Sequence, residues 1–360
     1  MKVVEKVLFV ISNISFGGAQ RVVWTLTQSM HKKGVEPVVV AVGHSTNNYT
    51  LPQDIKVIQL GQKHNLQTLS TISKLRKVIK EEKPSVVITM GVATCMFSVP
   101  AVQGQGVAHI ISERNDPKHF KGKSWVKKVS RTMMKQADAF VFQTEEARDF
   151  YPKQIRERGC VIPNPIMATN LPEAQPDTEN RVFVTMGRLT EQKNHRMLID
   201  GFAQLLQTYP THKLHIYGSG ELQDQTEAYI REKGLQDSVL LMGSYNDVLE
   251  RIRGAEAFVL SSDFEGMPNA LMEAMAMGLP CISTDCPCGG PRYLIQHGEN
   301  GLLVPVGDAE TLAAAMKQLA GDAELRTALG NAAKPLRQNL TADRICEKWL
   351  EFCEDSINGQ

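Results

Sequence analysis

The sequence has no cysteine pattern of the kind that defines disulfide-stapled or zinc-binding proteins. Its seven cysteines are an odd number, and the closest group (Cys281, Cys286 and Cys288) has neither paired Cys-x-x-Cys spacing nor partnering histidines. The start, MKVVEKVLFVISN, also lacks a small-residue cleavage site after its short apolar run, which predicts a first strand rather than a signal peptide. We therefore expect a protein of the reducing cytoplasm that carries no metal.

Residues 84–112 contain no Asp, Glu, Lys or Arg, and this stretch is long enough to span a bilayer. Pro100, Gly91, Gly104 and Gly106 divide it into a β-branched run (SVVITM), a helix-like middle (ATCMFSVPAVQ) and a second run (VAHIIS). This pattern favours two buried parallel strands joined by a helix over a transmembrane segment.

Charge is distributed unevenly along a chain whose formal net charge is only +1. Residues 1–170 carry 24 Lys and Arg against 12 Asp and Glu, whereas residues 171–360 carry 16 against 27. A basic half of this kind favours an anionic partner for that half alone, such as a membrane surface or a nucleic acid.

Short apolar runs alternate with amphipathic stretches along most of the chain, beginning with KVLFVIS, AQRVVWTLTQSMHKKG and EPVVVAVG. This alternation predicts βαβ units and parallel sheets, and it stops in a segment rich in Pro, Asn and acidic residues at 162–180. We therefore predict an α/β protein of two doubly wound, Rossmann-like domains facing across a cleft. The predicted boundaries are 1–165 for the first domain, 166–180 for a linker, 181–341 for the second domain and 342–360 for a final helix.

Ligands of such sheets bind beyond the carboxyl ends of the strands, so the strand-to-helix loops are candidate binding sites. In the segment MGRLTEQKN, Arg188 and Lys193 follow a strand, and two cations there would neutralise a diphosphate. For either cation alone, a solvated surface position remains an alternative. Glycines at other strand ends allow backbone to approach a ligand, although plain turns would also explain them: Gly17, Gly18, Gly187, Gly218 and Gly243.

The segment EGMPNALME places two carboxylates eight positions apart around a predicted helix start. Pro268 is suited to a first helical turn and Gly278 to a stop, so we predict a helix over 268–277 with Glu265 before it and Glu273 one turn inside. Backbone amides of residues 266–270 would then form an anion-binding position between two groups that accept hydrogen bonds from sugar hydroxyls. A nucleoside diphosphate sugar has this layout, and a capped surface helix is the alternative.

These motifs together resemble the retaining glycosyltransferases of family 4, which have the two-domain GT-B fold. The resemblance lies in five segments that occur in order: GRLTEQKN, YGSGE, EGMPNALME, CISTDCPCGGP and ENGLLVPVGD. It extends from SFGGAQR to the final helix, which in this family crosses back onto the first domain.

The resemblance implies a role for each matching residue. Arg188 and Lys193 would hold the donor diphosphate, Glu265 would contact hydroxyls of the transferred sugar, and these three form the predicted catalytic set. Glu273 would bind the ribose, and Gly17 would lie near the acceptor. The remaining predicted donor-binding residues are Gly18, Gly187, Gly218, Gly243, Gly266, Met267, Pro268, Asn269 and Ala270.

The segment ISERNDP departs from the family pattern, because many relatives have a histidine after this strand, near the donor sugar. Here the candidates for contact with the acceptor or the sugar are Glu113 and Arg114, and the sequence leaves the choice between them open. His109 lies earlier and is predicted to face a core. The segments ISERNDP and TDCPCGGPR are most similar to the corresponding segments of bacterial enzymes that extend lipid-linked oligosaccharides.

The sequence contains no strict Asp-x-Asp motif, so a diphosphate bound through a metal is not supported. Arg188, Lys193 and a helix terminus would supply the same electrostatic stabilisation. We therefore expect no cofactor and a UDP-sugar donor that is cleaved with retention. A nucleotide-sugar epimerase or hydrolase on the same scaffold, a transferase with a soluble acceptor, and a non-catalytic surface-binding protein remain alternatives.

The basic residues of the first half are concentrated at residues 117–137, a segment that contains no Asp or Glu. Apolar residues including Trp125 interleave with the cations at near-helical spacing, which favours reversible binding to the cytoplasmic face of an anionic membrane. A solvated helix face is the alternative, and no motif for reading nucleic acid accompanies the charge. The predicted membrane-contacting cations are Lys118, Lys121, Lys123, Lys127, Lys128 and Arg131.

Overall fold

The computed structural model describes residues 3–15, 17–44, 54–63, 67–120, 123–166, 171–175 and 181–359. The chain divides into two compact units. Residues 1–165 and 340–360 form the first unit, and residues 166–339 form the second.

The first unit contains seven strands among its described residues. They are β1 (Lys6–Ile11), β2 (Glu36–Gly43), β3 (Lys56–Gln62), β4 (Val86–Met90), β5 (Ala108–Ser112), β6 (Ala139–Phe142) and β7 (Gly159–Val161). Its helices are α1 (Gly18–Lys32), α2 (Thr68–Glu82), α3 (Cys95–Val102), α4 (Ser124–Met134), α5 (Glu145–Asp149), α6 (Lys153–Arg156) and α15 (Ala342–Asn358).

All strand pairs of the first sheet are parallel, in the order β3-β2-β1-β4-β5-β6-β7. Strands β1, β4 and β5 are buried along almost their whole length, because helices cover both faces of a doubly wound sheet. Apolar residues therefore predominate in these strands, and the few polar ones, such as Thr89 and His109, are buried as well.

The charge-free stretch at 84–112 forms β4, a 3₁₀ turn (Val92–Thr94), α3 and β5. The predicted strand–helix–strand arrangement is confirmed, and Pro100 lies inside α3. His109 is buried on β5, where its Nε2 lies 2.8 Å from Thr89 Oγ1, and burial lowers its pKa to about 3. Across the described part of the chain, no helix combines the length and the apolarity needed to cross a membrane.

The second unit contains β8 (Val182–Met186), β9 (Lys213–Tyr217), β10 (Val239–Gly243), β11 (Ala257–Leu260), β12 (Cys281–Thr284) and β13 (Leu302–Val304). Its helices are α7 (His195–Leu206), α8 (Gln223–Glu232), α9 (Val248–Ile252), α10 (Asn269–Met277), α11 (Gly290–Leu294), α12 (Ala309–Gly321), α13 (Ala323–Ala333) and α14 (Leu336–Asn339). A 3₁₀ turn (Glu191–Lys193) precedes α7.

The second sheet is also parallel, with the order β10-β9-β8-β11-β12-β13. Counted from its own first strand, this is the Rossmann order 3-2-1-4-5-6, and the first six strands of the other sheet follow the same order. The predicted α/β class with two doubly wound, Rossmann-like sheets is therefore confirmed. Strand order reverses between β1 and β4 in one unit and between β8 and β11 in the other.

The final helix α15 belongs to the first unit and packs on α1. Thr341 caps it by accepting a hydrogen bond from the Arg344 amide, and Trp349 on the helix is fully buried. At the edge of this contact Lys33 Nζ lies 2.6 Å from Glu347 Oε1. The helix therefore contributes core to the unit that contains the start of the chain.

Candidate functional site

The strongest candidate site lies at the switch point of the second sheet. Strands β8 and β11 are neighbours there, with Ala257 opposite Phe183, and the loops that leave their carboxyl ends diverge to opposite sides of the sheet. One loop carries Arg188 and Lys193, and the other carries Glu265. Strand order alone therefore brings the two predicted motifs to one place.

An ion pair joins these two loops. Lys193 Nζ lies 2.5 Å from Glu265 Oε1, and the two side chains are only 17% and 10% exposed. Ser262 Oγ donates a second hydrogen bond to Glu265 Oε1 at 2.8 Å. Because both charges are largely removed from water, loss of either partner would leave the other uncompensated.

The chain before α7 is shaped to deliver Lys193 to this position. Asn194 adopts the left-handed conformation (φ 43°), and its side-chain oxygen caps α7 by accepting from the Met197 amide at 3.1 Å. The Asn194 amide group also donates to Asp263 Oδ1 at 2.6 Å. A Cβ at Gly187 would come within 3.1 Å of Lys193 Cε, so the glycine leaves room for the lysine stem.

Three predicted glycines at strand ends lie next to one another. The Gly187 amide donates to the Tyr217 carbonyl at the end of β9, and the Gly218 amide donates to the Gly243 carbonyl at the end of β10. Gly218 has φ +134°, and a Cβ there would lie 1.8 Å from the Gly187 carbonyl oxygen. The glycine at 218 is therefore required by a contact within the protein itself.

Helix α10 begins at Asn269, one residue later than predicted, because Pro268 has extended backbone (φ −77°, ψ 103°). The helix ends where Gly278 takes the left-handed conformation (φ 90°), as predicted. Glu273 is buried on the helix. Glu265 lies in the loop before it, so the two carboxylates flank the positive end of the helix dipole.

The segment CPCGGP supports the start of α10. A Cβ at Gly290 would lie 1.8 Å from the Gly266 carbonyl oxygen and 3.1 Å from Pro268 Cδ. Only glycine allows α11 to approach the 266–268 backbone this closely. The predicted donor-binding residues Gly266, Met267 and Pro268 are all buried, and Asn269 and Ala270 are half-buried.

Arg188 is the one exposed side chain in the sequence Gly187-Arg188-Leu189. The backbone on either side is fixed, because the Gly187 amide donates to the Tyr217 carbonyl and the Leu189 amide donates to the Ser219 carbonyl. Leu189 is fully buried. The guanidinium is therefore available to an anionic ligand at the same loop that carries Lys193.

Two neighbouring titratable groups stay neutral around this pair. Burial raises the pKa of the Cys286 thiol to about 12, with a further contribution from the Glu265 charge. Burial and the nearby Lys193 lower the pKa of His195 to about 4. In the described ranges, no group of three or more His, Cys, Asp and Glu side chains is arranged to hold a metal ion.

In the first unit, Gly17 and Gly18 lie at the start of α1, after the loop that follows β1. Gly17 precedes the helix with extended backbone (φ −176°), which any residue adopts, and its carbonyl accepts the Arg21 amide at 3.0 Å. Asn13 organises the loop, since its Oδ1 accepts from the Ser15 amide and from Gln20 Nε2 at 3.1 and 3.0 Å. Gly18 is the first residue of α1.

Glu113 is buried after β5, where it accepts three hydrogen bonds. Tyr151 OH donates to Oε2 at 2.6 Å, and the Arg114 and Asn115 amides donate to Oε1 at 3.0 and 3.3 Å. Burial raises the pKa of the Glu113 carboxyl above its ordinary value, against these hydrogen bonds and the charge of Arg131. The arrangement anchors the loop and leaves little of the carboxylate for a ligand.

Arg114 is only partly buried and lies nearer the surface than Glu113. Its guanidinium donates to Asn164 Oδ1 and, at 3.3 Å, to Ser112 Oγ, while Gln143 Nε2 donates to the same Asn164 oxygen at 2.8 Å. Arg114 Nε has no hydrogen-bond partner among the described residues. Of the two candidates in ISERNDP, Arg114 is therefore the more exposed residue, and its contact with a ligand stays a prediction.

The predicted membrane cations fall into two groups. Lys118, Lys123 and Lys128 are exposed. Exposed Trp125, Lys128 and Val129 share one face of α4, Lys123 is the residue before the helix, and Lys118 precedes it. By contrast, Lys127 donates to the Lys118 carbonyl at 3.3 Å, and Arg131 donates to the Pro117 carbonyl with its guanidinium 4.8 Å from the Phe150 ring centroid. Lys121 lies outside the described residues. We call Lys118, Lys123, Trp125, Lys128 and Val129 the α4 face.

Sequence reasoning missed several residues of these clusters. Gln192 and Ser262 bind Glu265, and Tyr151 and Asn164 bind Glu113 and Arg114. Gln192 lies inside GRLTEQKN, next to the predicted Lys193, so its polarity was a usable signal. Ser262 lies three residues before EGMPNALME, outside the segments that the sequence analysis selected. Tyr151 and Asn164 are 38 and 50 positions from their partners, and no local pattern connects them.

Comparison with known proteins identifies the family. A model described as "Glycosyltransferase Family 4" matches residues 16–169, and a model described as "Glycosyl transferases group 1" matches residues 168–335. The lipopolysaccharide 1,6-galactosyltransferase of Salmonella typhimurium is 31% identical to this chain, over 70% of this chain and 72% of its own length. The chain therefore belongs to the glycosyltransferases.

Two further similar proteins cover nearly the whole chain. A Campylobacter jejuni enzyme is 27% identical over 98% of this chain and 99% of its own, and its name describes an α-1,4-N-acetyl-D-galactosaminyltransferase acting on a saccharide linked to diphospho-undecaprenol. The structure of Anabaena HepE in complex with UDP and glucose superposes with a TM-score of 0.82 at 17% identity, over 97% of this chain and 98% of that one. This structural likeness concerns the fold, which is that of the GT-B glycosyltransferases.

We predict that Lys193→Met lowers the free energy of unfolding of the second unit by about 3 kcal/mol, since the Glu265 charge is left buried without its partner. Combining it with Glu265→Met should cost less than the sum of the two single changes. Calorimetry is the suitable measurement, because Trp24, Trp125 and Trp349, the chain's 3 tryptophans, all belong to the first unit.

Arg231→Met is the matched control for this prediction. Its ion pair with Glu227 spans 3.2 Å, but both side chains are more than half exposed, so we expect a loss below about 1 kcal/mol. Equal losses for Lys193→Met and Arg231→Met would contradict the buried pairing.

A second prediction concerns the pH dependence of the first unit. Because burial raises the folded-state pKa of Glu113 above its ordinary 4.5, ionisation of this carboxyl costs stability as pH rises through and above that value. Glu113→Gln keeps a group that can pair with Tyr151 and the two amides, and removes the titration. We expect the variant to gain stability relative to the wild type with rising pH.

Denaturant unfolding followed by tryptophan fluorescence at several pH values measures this difference. Glu157→Gln, an exposed change in the same unit, should track the wild type at every pH. If the free energy of unfolding changed with pH in the same way for the wild type and for Glu113→Gln, the pKa of Glu113 would not be raised by burial.

Proposed function

We propose that this glycosyltransferase moves a hexose or N-acetylhexosamine from a UDP-sugar to a polyprenyl-diphosphate-linked saccharide, with retention of configuration. The assembly of a bacterial surface glycan is the process in which such a step would occur. The observation that carries the proposal is the Lys193–Glu265 pair at the switch point of the second sheet, beside the start of α10.

The charges of this site suit a nucleoside diphosphate sugar. An ammonium has three donors, and the pair with Glu265 uses one, so two donors of Lys193 remain for phosphate oxygens. Arg188 adds a planar guanidinium on the same loop, and α10 adds the positive end of its dipole. Glu265 before the helix and Glu273 inside it would accept hydrogen bonds from the transferred sugar and from the ribose.

The proposed reaction breaks the bond between the sugar and the diphosphate while cations stabilise the departing diphosphate. Each critical preorganised contact of this kind lowers the barrier by roughly 3–4 kcal/mol. The acceptor attacks the same face of the sugar from which UDP leaves, and a phosphate oxygen of the leaving group takes the acceptor proton. No metal is required in this scheme, because Arg188, Lys193 and the helix terminus neutralise the charge.

The acceptor is proposed from the relatives together with the first unit. The Campylobacter relative is named for a saccharide on diphospho-undecaprenol, and the Salmonella relative is named for lipopolysaccharide. In this chain Arg114, which is only partly buried after β5, is the residue that we assign to the acceptor or the donor sugar. Gly17 and Gly18 at the start of α1 provide a second place where backbone can approach the acceptor.

A panel of UDP-sugars assayed with polyprenyl-diphosphate-linked saccharides tests this function directly. We expect transfer from a UDP-hexose or UDP-N-acetylhexosamine, a product with the donor's anomeric configuration by NMR, and full activity in excess chelator. Parallel reactions without acceptor distinguish transfer from epimerisation or hydrolysis of the donor, and reactions with short soluble saccharides test whether the lipid is needed. Inverted product or a strict requirement for Mn²⁺ would refute the mechanism.

We further propose that the α4 face binds the anionic cytoplasmic surface of the cell membrane, where a lipid-linked acceptor is found. Exposed Trp125 and Val129 flank exposed Lys128 on the helix, and exposed Lys123 lies directly before it, a combination that suits insertion of apolar groups below charged headgroups. Each lysine near such a surface contributes about 1 kcal/mol. We propose no nucleic-acid partner, because no motif for reading bases accompanies the charge in the sequence.

Lys123→Gln combined with Lys128→Gln should therefore lower partitioning onto anionic vesicles by about thirtyfold, as measured by sedimentation. Lys77→Gln combined with Lys80→Gln is the control, since it removes two exposed charges from α2 of the same unit. If both double variants lose binding equally, the attraction comes from net charge and not from the α4 face.

A further inference from the structure

The Glu265 carboxylate is held by three donors, which differ between its two oxygens. Oε1 accepts from Lys193 Nζ at 2.5 Å and from Ser262 Oγ at 2.8 Å. Oε2 accepts from Gln192 Nε2 at 3.3 Å. A carboxylate oxygen has about two lone-pair positions, so Oε1 is filled and Oε2 retains one position for a further donor.

Gln192 is itself fixed by the loop that it serves. Its Nε2 donates to the Phe264 carbonyl at 2.9 Å as well as to Glu265, so both amide hydrogens are used on consecutive residues. The backbone carbonyl of Gln192 accepts from the Asp263 amide at 2.9 Å, and the Gln192 side chain is buried. Gln192 therefore joins the 3₁₀ turn before α7 to the segment that ends at Glu265.

Ser262 is fixed from the opposite direction. It is fully buried, and its carbonyl accepts from Thr284 Oγ1 at 2.5 Å and from Cys286 Sγ at 3.3 Å. Residues at the end of β12 thus fix the backbone of Ser262, and the Ser262 hydroxyl in turn donates to Glu265. Because the Cys286 thiol stays protonated, it remains a donor in this chain of hydrogen bonds.

We propose that Gln192 and Ser262 are positioning residues for the donor sugar. They select one orientation of the Glu265 carboxylate and leave a single accepting position, on Oε2, for a sugar hydroxyl. This inference rests on the proposed function, since it assigns the remaining position to the transferred sugar. A carboxylate held in this way is already oriented when the donor binds, so no side-chain ordering is needed in the reaction.

Gln192→Met retains much of the side-chain volume and removes both amide hydrogens. We expect kcat/KM for the UDP-sugar to fall roughly tenfold to a hundredfold, as for loss of a hydrogen bond to a charged group. Affinity for UDP alone, measured by titration calorimetry, should change less than about twofold, because UDP has no transferred sugar for Glu265 to contact. A general loss of structure would lower both quantities together.

A double-mutant cycle with Glu265→Gln shows whether Gln192 acts through Glu265. In the Glu265→Gln background the further change Gln192→Met should cost less than about threefold in kcat/KM, since the group that it positions is already altered. Ser262→Ala should show the same non-additivity, which protects the test if one variant folds poorly. Gln207→Met, an exposed change on the same unit, should match the wild type.

The same cycle measured as free energy of unfolding needs no donor. Coupling between positions 192 and 265 should appear in calorimetry of the unliganded protein. Additive losses in both cycles, or UDP affinity falling together with kcat/KM, would overturn the positioning role. A wild type inactive with every UDP-sugar would refute the proposed function and the role in the reaction, while the unfolding cycle would still decide whether Gln192 acts on Glu265.

Discussion

The contact between Lys193 and Glu265 is the interaction on which the candidate site depends. Both charges are largely removed from water, so each requires the other, and their pairing fixes the loop after β8 against the loop after β11. Those two loops leave the sheet at the point where strand order reverses, which is where a doubly wound sheet opens to a ligand. The paired side chains can still bind a ligand, because the Lys193 ammonium keeps two hydrogen-bond donors and the Glu265 carboxylate keeps one accepting position.

Glycines around this pair allow neighbouring loops to pack closely against each other. Gly218 and Gly290 lie so close to the carbonyl oxygens of Gly187 and Gly266 that a Cβ would overlap them. These contacts bring the β9 and β12 connections against the two loops that carry charge. Motifs that suggest direct contact between backbone and ligand thus also serve to pack one loop on another. The two uses are compatible, since a loop held by its neighbours presents the same backbone to every ligand molecule.

Alternation of apolar runs was sufficient to predict both parallel sheets, the strand–helix–strand form of residues 84–112 and the limits of α10 to within one residue. Each of these follows from periodicity and from Pro or Gly at an end, which are local properties. The partners of the charged residues were not predictable in this way. Glu113 and Arg114 are held by Tyr151 and Asn164, which reach them through the order of β5, β6 and β7. The spacing of residues along the chain does not predict the order of strands in the sheet.

The two units share one strand order but place different chemistry at the ends of their strands. In the second unit, opposite charges meet at the switch point and are balanced within it. In the first unit, the loop after β1 is held by the neutral side chains of Asn13 and Gln20, and the main acid, Glu113, is buried under Tyr151. Its cations are instead exposed on the α4 face and are not balanced by acids on that segment. Balanced charge suits a ligand that is bound and released in each turnover, whereas unbalanced positive charge suits lasting attraction to an extended anionic surface. Under the proposed function, the uneven distribution of charge along the sequence would follow from two kinds of binding carried by two units with one strand order.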